Sequence, residues 1–486
     1  MKYSTISVPQ LTVLVLALVL AGGCAAISPQ DGHCQTLPKI RIGSDGRSFV
    51  DDAGKPFVPF GVNYYRPDTG WAPQIWKQFN AETARRDFAK MKQLGVNCVR
   101  VFLTYHSFHF QPGQLNPEGA AKFDQFLDIA EQAGIYVHPA GPEFWEGKPN
   151  WKPVAIADER TLQYTEEFWK QFAARYRGRH VIFAYDLKNE PDVGWNNEII
   201  ARRWNAWLKK KYETPANVDR AWHGTNRLAF GSIAVPKPRA ALNDPELLDF
   251  QRFREDIADE WTRRQVEAIK SADPEALTTV GCLQTSVPSR FWEGIDDYTG
   301  FVPQRQAKYL DFLEIHFYPS EGGGYEYRSE AGELANLAYL EGIVREVARP
   351  GKPVVLAEFG WYGGREKPKF DHGAHPLGTE AQQAKFLWDE IEISAGFVTG
   401  WLNWGLYDQP GADDCSELTG LLTVDGRVKE WGRVFRQLSS RYSGAILPPP
   451  KTGPRPDLDW NACVTSGAAG NQFRREYLKR FLADRK

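Results

Sequence analysis

Two glutamates close apolar runs of the same shape. One run is Ala184-Tyr185-Asp186-Leu187-Lys188-Asn189-Glu190-Pro191; the other is Val354-Val355-Leu356-Ala357-Glu358-Phe359-Gly360. Pro191 cannot continue a strand ladder, so Glu190 falls at the strand's C-terminal lip. Glu358 takes the matching place in a later strand. Carboxyls paired at one face of a barrel suit the cleavage of glycosidic bonds. One, protonated, helps the leaving oxygen depart, and the other, ionised, attacks or steadies an oxocarbenium-like centre. At roughly 5 Å the charge on one raises the pKa of the other and so separates the roles. The blander alternative, surface carboxylates at strand ends, does not require two matching strand ends.

Positioning both residues takes a repeating βα scaffold. Apolar runs at 57–64, 96–103, 134–139, 181–188, 277–283, 311–318, 353–359 and 398–404 read as eight strands. Several are apolar at most positions, as parallel strands covered on both faces are. Helical patterns lie between them, including Glu82 to Leu94, Phe123 to Ala133 and Ala381 to Ile393, with Gly95 and Gly134 as helix stops. The fold class is therefore α/β, a (β/α)8 TIM barrel, with a long insertion after strand four and a short C-terminal extension. No glycine-rich phosphate fingerprint follows the first strand, which disfavours a dinucleotide fold. The insertion carries Trp204, Trp207 and a long helix from about Pro245 to Lys270. It is expected to hang over the C-terminal face, where barrel active sites sit. Two turn signals within 40–58 predict a hairpin ahead of the barrel. The expected domains are 27–39 as an exposed leader, 40–440 as the catalytic barrel, and 441–486 as a Pro-rich linker and tail.

The formal net charge of -2 gives no reason to expect a nucleic-acid partner. Aromatic residues reach 13 % of the chain, which allows apolar platforms for sugar rings as well as core. Residues 1–26 read as an export signal, with Lys2, the apolar run Leu11 to Leu20, and small residues after it. Cleavage before Cys24 would leave a lipid-anchored cysteine, the chain's one expected membrane attachment; cleavage after Ala26 would not. Either cut exports the protein. Cys98 and Cys282 sit in strand runs as buried thiols, and Cys34, Cys415 and Cys463 are expected in loops, where an exported chain could pair two of them. No metal or organic cofactor is expected, and oligomeric state is not legible.

Across residues of about 40–440 the chain resembles the clan A glycoside hydrolases, retaining (β/α)8 enzymes. The matching motifs end strands two, four, six, seven and eight. Within the clan it resembles family 5, the cellulase and mannanase family. The stretches Trp207 to Tyr212, Ala221-Trp222 and Leu248 to Phe253 resemble family 42, the β-galactosidases. The resemblance implies Glu190 as acid/base, Glu358 as nucleophile and Asn189 on the sugar 2-hydroxyl. It further implies that Arg100 keeps the nucleophile ionised, that His316 lies beside the nucleophile with Tyr318 hydrogen-bonding it, and that Trp404 is a platform under the sugar. The chain lacks the cysteine cluster of many family 42 members, and its insertion exceeds the family 5 norm, so the sugar stays open. His106, His109, His138, Glu143, Trp145, Tyr64 and Tyr65 are weaker pocket candidates. The expected reaction is hydrolysis of β-linked oligo- or polysaccharides through a glycosyl-enzyme ester, with exo action favoured by the insertion. Transglycosylation, or sugar binding without turnover, are the alternatives.

Overall fold

All eight apolar runs form strands of one closed parallel barrel: β1 (Phe60–Asn63), β2 (Cys98–Thr104), β3 (Tyr136–Glu143), β4 (Tyr185–Asn189), β5 (Thr278–Cys282), β6 (Leu313–Phe317), β7 (Val354–Phe359) and β8 (Trp401–Asn403). The computed structural model describes residues 36–485 apart from 70–73, 148, 150, 152–154, 225–227, 322–323, 326–328, 362–378, 413–414 and 451. The export signal, Cys24 and Cys34 lie outside the described residues. Among the described residues no helix is long and apolar enough to cross a membrane.

The helices begin and end where the sequence chemistry directs. Asn80 caps Ala81–Gln93 by accepting from the Thr83 amide, and Asn116 does the same for Pro117–Ala133, which ends on Gly134 at φ 72°. After β4, helices Glu198–Tyr212 and Pro215–Ala221 precede the long helix Pro245–Ala272. Trp204 stacks between Trp207 and Trp222 and packs on Phe250 and Phe253 of the long helix, so the insertion is fastened by its own aromatic cluster. The C-terminal segment contains helices Trp460–Thr465 and Gly467–Ala483. The second rests on helix Glu330–Ala348, where Tyr477 donates to Glu341 at 2.9 Å. Cys463 is a free, buried thiol inside a helix rather than a loop cysteine, because Asp459 caps that turn and the helix buries its side chain.

The two ends of the barrel differ. At the N-terminal end the expected hairpin is a three-stranded antiparallel meander, Arg41–Ile42, Phe49–Val50 and Pro56–Phe57, the extra strand coming from Pro56-Phe57 pairing back on Phe49-Val50. Its Phe49 and Phe57 plug the barrel against Tyr136, Phe183 and Phe312. Above this plug the interior turns polar.

Two irregularities in strand pairing aim the upper residues inward. Between β6 and β7, Leu356 pairs with Ile315 but Glu358 pairs with His316, so β7 carries an extra residue. Between β4 and β5, Asp186 pairs with Thr279 and Asn189 with Gly281. Strict alternation from the inward-facing Val355 and Ala357 would turn Glu358 out of the barrel; the bulge turns it in.

Candidate active site

Arg100, fully buried on β2, is the hub of the upper barrel. Its Nε and Nη2 both donate to Asp186 Oδ2, at 3.1 and 2.6 Å. Its Nη1 donates to Glu358 Oε1 at 2.6 Å and to Asn63 Oδ1 at 2.9 Å, while Nη2 also reaches Asn189 Oδ1 at 2.8 Å. One guanidinium thereby fixes groups from β1, β4 and β7. With its oxygen accepting from Arg100, the Asn189 carboxamide keeps its NH2 as a donor.

Glu358 is 3 % exposed. Tyr318, just past β6, donates to its second oxygen at 2.8 Å. Burial pushes the Glu358 carboxyl above the ordinary range, against the pull of His316 and Arg100. The expected Arg100 ion pair is present, but its effect is to oppose the cost of burial rather than to bring the group below the range of a free Glu.

Glu190 is more open, its side chain 29 % exposed. Its backbone lies in the left-handed region at φ 45°, and its amide donates to the Gly281 carbonyl at 2.8 Å. His316 stands between the carboxylates, Nδ1 at 2.9 Å from Glu190 Oε1 and 3.6 Å from Glu358 Oε1. Burial, opposed by Glu358 and helped by Arg100, brings the imidazole down to about 4, so it is neutral at neutral pH. Among the described residues Nε2 has no hydrogen-bond partner, and a Cβ on Gly281 would come within 3.0 Å of it. The single ring proton therefore belongs on Nδ1, between the carboxylates. Carboxylate oxygens of Glu190 and Glu358 and a ring nitrogen of His316 all lie within 4.8 Å of one another.

Trp404, just beyond β8, is buried, with its indole N–H donating to Ser416 Oγ at 2.7 Å. With Tyr65, Phe102 and Trp145 it forms one aromatic run, ring centroids 5.0 to 5.9 Å apart. The seven residues singled out from sequence, Arg100, Asn189, Glu190, His316, Tyr318, Glu358 and Trp404, thus gather in the upper barrel; Arg100, Asn189, Tyr318 and Glu358 share one hydrogen-bonded network, and the bonded pair His316–Glu190 stands beside it, 3.6 Å from Glu358.

The β-galactosidase family model Glyco_hydro_42 matches residues 147–360. β-Galactosidase BbgII of Bifidobacterium bifidum is 26 % identical over 251 residues, 43 % of this chain and 33 % of that protein, so the match spans a third of the relative's length. Among solved structures, exo-β-1,4-mannosidase Op5Man5 from Opitutaceae bacterium strain TAV5 superposes with a TM-score of 0.57 at 20 % identity, over 83 % of this chain and 62 % of that one. A GH5_18 protein from Streptomyces cattleya, solved with GlcNAc, gives 0.59 at 17 % identity over 88 % and 92 %. The chain is thus similar to clan A glycoside hydrolases. The sequence match falls to the β-galactosidase model, and the barrel fold is like that of the GH5_18 protein.

Several residues of this barrel escape sequence reasoning. Asp186 lies in the same run as Glu190, yet its role of orienting Arg100 is not legible there, because an acidic residue inside a strand looks the same whichever way it faces. Gly281 is a missed residue of another kind. A Cβ there would lie 2.8 Å from both Arg100 Nη2 and Asp186 Oδ2. His138 does not line the pocket. It lies fully buried lower in the barrel, Nδ1 at 2.8 Å from the Ala184 carbonyl, which can only accept, and Nε2 at 2.6 Å from Glu314. Tyr64 turns away to Asp87 at 2.8 Å. His109 is buried among Tyr105, Trp151 and Phe168, with burial bringing it down to about 4. Neither His106 nor His109 belongs to a cluster of metal-ligating atoms among the described residues. Glu143 is buried at the end of β3, with both carboxylate oxygens engaged by the β4 lip.

Proposed function

We propose that this protein is a retaining β-glycosidase that hydrolyses β-linked oligo- or polysaccharides. The observation that carries this is the pair of carboxylates on either side of a neutral His316, with oxygens inside 4.8 Å. Retaining enzymes hold their carboxyls roughly 5–5.5 Å apart, whereas inverting enzymes leave about 6.5–9.5 Å for a water. Glu358, buried and held by Arg100 and Tyr318, is the nucleophile that attacks the anomeric carbon. Glu190, open to solvent, protonates the departing oxygen and then deprotonates the water that cleaves the ester. As Glu190 loses its proton, the Nδ1–H of His316 stabilises the new carboxylate. Asn189 offers its NH2 to the 2-hydroxyl, and Trp404 with its aromatic neighbours provides the apolar wall. The names of the relatives, β-galactosidase and exo-mannosidase, support a β-glycoside as substrate.

The test is hydrolysis of aryl β-galactosides, β-mannosides and β-glucosides and of matching oligosaccharides, with the product anomer followed by NMR. Release of the β-anomer first, lost in Glu358→Gln, supports the reading. Release of the α-anomer first would exclude retention, and binding without release would exclude catalysis. We propose in addition that the chain is exported, on the support of the Leu11 to Leu20 run and the small residues around Cys24. Incorporation of labelled palmitate, abolished by Cys24→Ser, would establish the lipid anchor; export with no label would establish cleavage without one.

A further inference from the structure

The peptide that carries Glu190 is held in an unusual state. At φ 45° it occupies the left-handed region that residues with a Cβ rarely enter, and such a conformation persists only where its surroundings over-determine it. The restraints come from three directions. The Glu190 amide donates to the Gly281 carbonyl on β5 at 2.8 Å. Farther along, the Val193 amide donates to Thr299 O at 3.0 Å, and the buried Arg254 donates to Val193 O through Nε at 2.7 Å. On the preceding side the restraint is a side chain: Glu143 Oε1 accepts from the Asn189 amide at 3.0 Å, and Oε2 accepts from Lys188 Nζ at 2.6 Å.

We propose that Glu143 is a positioning residue, a carboxylate clamp that holds the β4 lip so that Glu190 presents its acid to the leaving group. The inference rests on the glycosidase reading above. Glu143 has no part in the chemistry itself: it is 5 % exposed, and both its oxygens face residues 188 and 189. It grips the two residues immediately before Glu190, where β4 departs from regular pairing with β5. Asn189 is pinned a second time, by Arg100 on its side chain, so loss of Glu143 releases Glu190 more than Asn189 or Glu358.

The clamp therefore predicts a loss confined to acid assistance. kcat/KM for a retaining enzyme reports formation of the glycosyl-enzyme, which needs the acid for a poor leaving group and hardly at all for 2,4-dinitrophenolate. In Glu143→Leu, kcat/KM for phenyl β-glycosides and oligosaccharides is expected to fall about 100-fold, the usual consequence of an ångström-scale misplacement, while the 2,4-dinitrophenyl glycoside is nearly unaffected. Glu143→Gln keeps a carbonyl acceptor for the Asn189 amide and is expected to recover part of the loss. It also decides the matter if the Leu variant does not fold. Equal losses on both substrate types, or none on either, in a parent that cleaves both would overturn the clamp alone. A parent that cleaves no β-glycoside would overturn the glycosidase reading and the clamp with it.

Discussion

The two ends of this barrel are built from the same strands and do opposite jobs. Below, Phe49, Phe57, Tyr136, Phe183 and Phe312 close the opening with edge-on and tilted ring contacts. Above, a guanidinium, an imidazole and three carboxylates occupy the same cross-section. Apolar burial at roughly 25 cal/mol per Å² makes the lower end a source of stability. At the upper end, desolvation of charge opposes stability, and the groups persist because each is paired. The difference teaches that activity and stability should be separable by position along a single strand.

Glu358→Gln should have the largest effect, a fall in kcat on the order of 10⁴-fold or more with little change in thermal midpoint. A large drop in melting temperature would show that the upper network holds the fold together after all. Phe49→Ala, at the other end, should cost about 3–5 kcal/mol in denaturant unfolding while leaving kcat/KM of the folded protein intact. Next comes Gly281→Ala, whose methyl group would meet Arg100, Asp186 and His316 at once. A loss of about 100-fold in kcat/KM, with KM affected less than kcat, is expected if those groups shift by even an ångström.

The smallest effect is in the pH profile. Burial raises the pKa of Glu358, and the protonated form of this proposed nucleophile could not attack, so activity is expected to be lost as pH falls through a value above that of a free Glu, near 4.5. Arg100→Met removes one of the groups opposing that rise and should move the acidic limb of kcat/KM further up. An acidic limb below 4.5 in the parent would mean that pairing, rather than burial, governs the nucleophile.

How much of this was legible in the sequence follows the same division. The eight strands were readable because double-sided burial leaves near-continuous apolar runs, and the lip residues because motifs at strand ends carry their own chemistry. What could not be read was direction. From alternation alone, Ala357 and Glu358 cannot both belong to the interior, and only the bulge opposite Ile315 and His316 reconciles them. His138 shows the same limit, since its position in the strand did not say how far below the mouth it sits. The meander was half visible: its turn signals stood out, but two-residue strands are too short to show a pattern.

The plug also fixes an orientation. Leu37 packs against the lower aromatic cluster, and the Tyr136 hydroxyl donates to the Pro38 carbonyl at 2.6 Å, so the described chain enters at the sealed pole. A bead or electrode coupled just ahead of Leu37 would hold the molecule by that pole and leave its open mouth turned to the solution, whereas coupling through a loop after any barrel strand would press the mouth against the support.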